Sequence, residues 1–142
     1  MYKDILLPID LGQKASWEKA LPFAVDLARL YAARLHVMTV VPDYGFHYVA
    51  QFFPPAYETG MLDEANAKLH AFVKATVPAG MAVQHVVVHG SIYREIVRIA
   101  DEIKADVIVM ASHSPDVSDF VIGPNAERVL HKFARSVFIV RP

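Results

Sequence analysis

Apolar and polar positions along this chain fall into two alternating rhythms. Short, nearly unbroken apolar runs occupy residues 5–9, 35–41, 82–88, 107–110 and 137–140. Runs of that length, rich in β-branched residues, suit strands covered on both faces. Between them, apolar residues recur every three or four positions, as on one side of a helix. Ala20, Leu21, Ala24, Val25, Ala28 and Tyr31 form the first such stripe, with Ser16 as its expected N-cap and Glu18 in its first turn. Pro22 conflicts with that helix and predicts a kink, or else the point where its regular part begins. Further helices are predicted over 61–77, after a cap at Ser91, and over 126–133. Residues 44–60 carry Tyr44, Phe46, Tyr48, Phe52, Phe53 and Tyr57 around Pro54-Pro55. That segment is expected to be irregular, serving packing or subunit contact, with a ligand lid as the alternative.

Strands and helices therefore alternate from one end of the chain to the other. The pattern predicts an α/β fold: a five-stranded parallel sheet with helices on both faces and right-handed crossovers, in one domain over residues 1–142. Sheets of this kind bind ligands beyond the carboxyl ends of their strands, where strand order reverses. Asp10, Val41 and the loop from Ala111 lie at such ends. The stretch over 107–126, V-I-V-M-A-S-H-S-P-D-V-S-D-F-V-I-G-P-N-A, organises the rest. It leaves a buried strand through Ala111, Ser112, His113 and Ser114, then starts a helix with Gly123 at the N-cap and Pro124 at the first helical position. Such a helix start offers free backbone N–H groups and the positive end of the helix dipole to an anion.

Composition narrows the choices. The 142 residues are 54% apolar, enough for a substantial core. A net charge of -1, from 14 basic and 15 acidic residues, leaves no electrostatic footprint for nucleic acid or an anionic membrane. Without cysteine there are no disulfides, thiolate zinc sites or cysteine nucleophiles. No apolar run is long enough to span a bilayer, and M-Y-K-D-I-L-L-P enters a strand with no leader, so a cytoplasmic protein is expected. Neither G-x-x-x-x-G-K-[ST] nor a G-x-G-x-x-G after the first strand is present, which argues against a P-loop enzyme and an ordinary dinucleotide dehydrogenase.

Single polar residues add less. Ser112 and His113 are adjacent, rarely face each other and have no identifiable acid partner, so loop lining is expected rather than a nucleophile and base. His85 and His89 would lie about 13 Å apart along a strand, too far to share a metal, and are expected at the surface. Asp116 and Asp119 belong to a solvated loop or help to hold a cation. Asp10 ends a strand and caps the next turn, or faces a ligand.

The organising stretch resembles the universal stress protein family, which closes its fourth strand with Gly-x2-Gly-x9-Gly-[Ser/Thr] around the phosphates and ribose of ATP. Here the pattern is Ala111-x2-Ser114-x8-Gly123-Pro124. The likeness covers the whole chain: I-L-L-P-I-D looks like the family's first strand, T-V-V-P the end of its second, H-G-S-I-Y-R-E-I its third helix and S-V-F-I-V-R-P its last strand. The form A-S-H-S-P-D … G-P-N-A is most similar to the F-type members. The resemblance implies a Rossmann-like fold and an ATP-binding regulatory protein, taking ATP with Mg²⁺ and hydrolysing it slowly at most. It also implies a homodimer or higher homo-oligomer through the last strand. By resemblance, Pro8 and Ile9 belong to the binding site and Asp10 lies near ribose, phosphates or metal. Val40 would meet adenine through its backbone, Ala111, Ser112, His113 and Ser114 would line the ribose and phosphate turn, and Gly123, Asn125 and Ala126 would hold phosphates.

The departures from the family pattern carry their own expectation. Ala111 and Ser114 replace two glycines, the loop is one residue shorter, and Pro124 stands where Ser or Thr would offer an N–H and a hydroxyl. Asn125 offers a side-chain amide instead. Losing one hydrogen bond to a charged group weakens binding about tenfold or more. An oligomeric interaction module that has lost nucleotide binding is therefore the alternative, and a small enzyme using Ser112 or His113 a third.

Overall fold

The five apolar runs become the strands of one parallel sheet in the computed structural model, which describes residues 1–42, 56–112 and 123–141. In chain order these are β1 (Asp4–Pro8), β2 (Arg34–Pro42), β3 (Val83–Gly90), β4 (Val107–Ala111) and β5 (Ser136–Val140). The helices are α1 (Ala20–Tyr31), α2 (Ala56–Thr76), α3 (Ile92–Glu102) and α4 (Pro124–Lys132), with a 3-10 turn at Lys14–Ser16. Strand order is β3-β2-β1-β4-β5. β1 thus has Leu35 of β2 opposite Ile5 on one side and Val107 of β4 on the other. The chain builds outward from β1 to one edge, then returns to the centre and builds to the other.

Successive strand residues point to opposite faces, so each run feeds two cores. Ile5, Leu7, Val37 and Val109 pack with Ala24 and Val25 of α1 and Leu69 and Val73 of α2. Leu6, Met38 and Ile108 pack with Ile96 and Ile99 of α3 and Val129 and Phe133 of α4. Burial on both faces is why these strands read as continuous apolar runs rather than alternating ones.

Several helix starts differ from the expectation. α1 begins at Ala20 with Lys19 in the N-cap position, so Ser16 does not cap it. Ser16 instead ends the 3-10 turn and fastens the loop after β1. Pro22 falls in the first turn of α1, where its missing N–H breaks no intrahelical bond; it marks the start of the regular helix. α2 starts at Ala56, earlier than residue 61, so the end of the aromatic segment is helical. A proline pair can precede a helix without stopping it, because the first turn needs no N–H donors. The aromatic residues Tyr44, Phe46, Tyr48, Phe52 and Phe53 lie outside the described residues. α4, by contrast, starts at Pro124 with Gly123 as its N-cap, the start expected of the Gly123-Pro124 pair.

His85 and His89 are half-buried, not surface residues. β3 is an edge strand, but α2 covers the face that carries them. The His85 ring packs against His70 of α2 with centroids 4.8 Å apart. Burial lowers the His85 pKa, and the neighbouring His70 charge lowers it further. Among the described residues no helix is long and apolar enough to cross a membrane.

Candidate functional site

Connections from β1 and β4 leave the sheet towards opposite faces, β1 to α1 and β4 to α4. A gap therefore opens at the carboxyl ends of these two adjacent strands. It holds a cavity of about 350 Å³, within the range of small-ligand sites. The exit of β1 lines one side with Pro8, Ile9 and Asp10, followed by Gln13 and Ser16. Val40 comes from β2, and Met110 and Ala111 come from β4. Ile92 and Ile96 of α3 form a further wall, and Gly123, Pro124, Asn125 and Ala126 close the remaining side at the start of α4.

Local hydrogen bonds shape the β1 exit. The Gly12 N–H donates to Asp10 Oδ1 at 2.9 Å, an Asx-type turn. The Asp10 N–H donates to the Ser16 hydroxyl at 2.8 Å. That hydroxyl reaches the carbonyls of Asp10 at 2.9 Å and Gln13 at 2.7 Å, and its single proton serves one at a time. These bonds fold the loop back and leave Asp10 exposed, with no partner for Oδ2 among the described residues.

At the opposite wall, Gly123 has extended backbone (φ -60, ψ 155) and its carbonyl accepts the first helical bond from Glu127 at 3.0 Å. The amides of Asn125 and Ala126 fall in the first turn, which has no intrahelical acceptors. Pro124 contributes none. The start of α3 is set by Gly90, whose φ of 143 suits glycine and where a Cβ would come within 3.0 Å of Glu95. The site thus combines an apolar wall of Val40, Ile92, Ile96 and Met110, one exposed carboxylate, and the positive end of a helix.

Pro8, Ile9, Asp10, Val40, Ala111, Gly123, Asn125 and Ala126 are brought together around this cavity. Ser112 is not among its lining: it is 5% exposed, and its N–H donates to the Val140 carbonyl at 3.3 Å, extending the β4–β5 pairing. His113, Ser114, Asp116 and Asp119 lie outside the described residues. Gln13, Ser16, Ile92, Ile96, Met110 and Pro124 line the cavity without having been singled out as binding residues. Ile92 and Ile96 share the core stripe of Ile99; only their place at the amino end of a helix that leaves a strand's carboxyl end distinguishes them. Among the described residues no cluster of three or more His, Asp or Glu is arranged to hold a metal ion.

This arrangement has relatives. The model of the Universal stress protein family matches residues 1–141. Universal stress protein G of Escherichia coli O157:H7 is 30% identical over 144 residues, covering 99% of this chain and 100% of that protein. Universal stress protein MJ0577 of Methanocaldococcus jannaschii is 26% identical over 157 residues, covering 99% of this chain and 96% of that protein. A solved structure of MJ0577 superposes with a TM-score of 0.83 at 27% identity, covering 100% of this chain and 97% of that one. A universal stress protein in complex with cAMP matches with a TM-score of 0.64 at 25% identity, covering 99% and 97%.

Proposed function

Because the chain belongs to the universal stress protein family, we propose that its cleft binds an adenine nucleotide, ATP with Mg²⁺, in a cytoplasmic regulatory protein. The observation that carries this reading is the convergence of apolar wall, carboxylate and helix start at the strand-order reversal. Val40, Ile92, Ile96 and Met110 suit a flat base, with the Val40 backbone as its polar reader. Asp10 suits ribose hydroxyls or the cation, and the amides of Asn125 and Ala126 suit phosphate. With no three-residue metal cluster among the described residues, Mg²⁺ would be held by Asp10 and the phosphates. The related protein in complex with cAMP supports an adenine nucleotide as the ligand class.

Among the described residues Asp10 is the one titratable side chain in the cavity lining, and its Oδ1 is engaged by Gly12. Hydrolysis is therefore slow at most, and the bound state rather than turnover is the signal. Calorimetric titration of nucleotide-free protein with ATP and Mg²⁺ tests this. A dissociation constant in the micromolar range, about -8 kcal/mol, is expected; no heat at millimolar ATP rejects the reading. Pro124 and Ala111 favour a second reading, an interaction module without nucleotide, whose thermal melt would be indifferent to ATP. In either case a homodimer or larger homo-oligomer would form along β5, which lies at the sheet edge and carries exposed Phe138. A single monomeric species at all concentrations would reject that contact.

A further inference from the structure

We propose that Tyr93, Arg94 and Arg128 form a phosphate-receiving rim beside the cleft, which selects nucleotides carrying a free polyphosphate chain. The inference rests on the nucleotide reading above and names the specificity of that site. α3 and α4 pack side by side, and both begin at the cavity. Tyr93 follows Ile92, which lines the cavity; it packs against the second core and its ring meets Arg128 of α4. Arg128 is three residues along α4 from the lining residue Asn125, about 4.5 Å of helix rise.

Two guanidinium groups converge on this phenol. Arg94 Nε donates to Tyr93 Oη at 3.0 Å, and the Arg94 guanidinium carbon lies 5.7 Å from the ring centroid. The Arg128 guanidinium carbon lies 5.0 Å from the same centroid. The Arg94 hydrogen bond lowers the Tyr93 pKa, burial opposes it, and the charges of Arg94, Arg128 and Lys132 add to the lowering. The ring therefore holds two guanidinium groups by cation–π contact, in the field of a third cation.

None of the three cations forms an ion pair among the described residues. The next arginine of α3 behaves differently: Arg98 binds Glu95 at 2.7 Å and Glu102 at 2.9 Å. Arg135 likewise reaches Asp101 at 3.2 Å. Glu127, next to Arg128, makes no ion pair among the described residues either. Arg94 also stands in the first turn of α3, where a cation opposes the helix dipole. An unpaired cluster placed against the dipole becomes favourable once an anion enters, and guanidinium groups take phosphate oxygens bidentately. The rim would supply by side chain what Pro124 withholds by backbone. A cyclic or single phosphate held at α4 would leave it empty.

The test titrates ATP, AMP and tripolyphosphate into the wild type and into the double variant Arg94→Gln/Arg128→Gln, with melts to confirm that both are folded. In the variant, ATP is expected to bind about tenfold more weakly, AMP to change by less than about twofold, and tripolyphosphate binding to be lost. Equal affinity of wild type and variant for ATP overturns the rim and leaves the nucleotide reading standing. Tripolyphosphate binding that the variant loses, with no ATP or AMP binding to the wild type, overturns the nucleotide reading and leaves the rim. Absence of binding by all three overturns both.

Discussion

At the amino end of the sheet Asp106, Asp4, Arg135 and Nε2 of His36 bond to the protein itself; at the carboxyl end Asp10 Oδ2, the Asn125 side chain and the first amides of α4 have no partner among the described residues. Asp106 Oδ2 accepts the N–H groups of Lys3 at 2.7 Å and Asp4 at 3.0 Å. Its own N–H donates to the Asp4 carbonyl at 2.9 Å. Asp4 Oδ1 lies 2.9 Å from Nε2 of His36, which is 3% exposed. Arg135 donates through Nε to the Ala105 carbonyl at 2.6 Å and also reaches Asp101. Both ends belong to the same β1–β4 seam. One end is sewn shut by mutual hydrogen bonds and the other parts where the chain diverges. Carboxylates of equal chemistry thus hold the fold at Asp106 and, in the proposed function, meet a ligand at Asp10.

The sharpest way to break this contrast is Asp106→Ala. It removes the acceptor of two backbone donors, one exposed and one part-buried, and a loss of about 1–2 kcal/mol is expected in urea unfolding. Those backbone hydrogen bonds, from Asp4 and then Lys3, hold the Asp106 carboxyl below the usual carboxylate range; burial opposes them and Arg135 assists. A folded-state pKa below the unfolded one means stability that is present above the unfolded value, near pH 4, and lost as pH falls through the folded one. The variant should therefore lose less stability than the wild type on acidification below about pH 4. An identical acid limb would show that Asp106 is not the group responsible.

Asp10→Ala should do the reverse. It removes only an exposed turn acceptor, so stability should stay within about 0.5 kcal/mol, while ATP affinity should fall about tenfold. A stability loss as large as that of Asp106→Ala would erase the distinction between the two ends. The smallest effect is expected away from both, at His85. Its lowered folded pKa means the unfolded chain binds more protons around and below pH 6.5, so stability should fall slightly as pH drops through that window. His70→Gln should flatten that slope by removing the like charge. A steeper slope would contradict it.

Much of this was legible in the residue pattern because burial on both faces of a parallel sheet writes itself as uninterrupted apolar runs. The Gly123-Pro124 helix start was legible for a related reason, since each residue suits only a few backbone positions. Ser16 was misread because Ser is favoured both at N-caps and in loop turns, and only the loop's own closure decides between them. Ile92 and Ile96 read as core because a helix stripe carries no mark of where the sheet beneath it ends. Ser112 was assigned to the turn by resemblance, and its backbone bond to Val140 just past the end of β4 was not legible locally. The Tyr93 rim could not be read locally: Arg94 and Arg128 lie on different helices, and only the packing of α3 on α4 unites them.

The seam also has a kinetic side. β1, β2 and β3 succeed one another along the chain and can organise with α1 and α2 before the rest is made. Joining β4 to β1 closes a far longer loop, since Lys3 and Asp106 meet across 103 positions of sequence. Such a closure is slow to reach and, once made, is the natural line of first rupture. A ligand touching both the β1 exit and the start of α4 would act as a removable staple across that line, lengthening the life of the folded state more than it hastens folding.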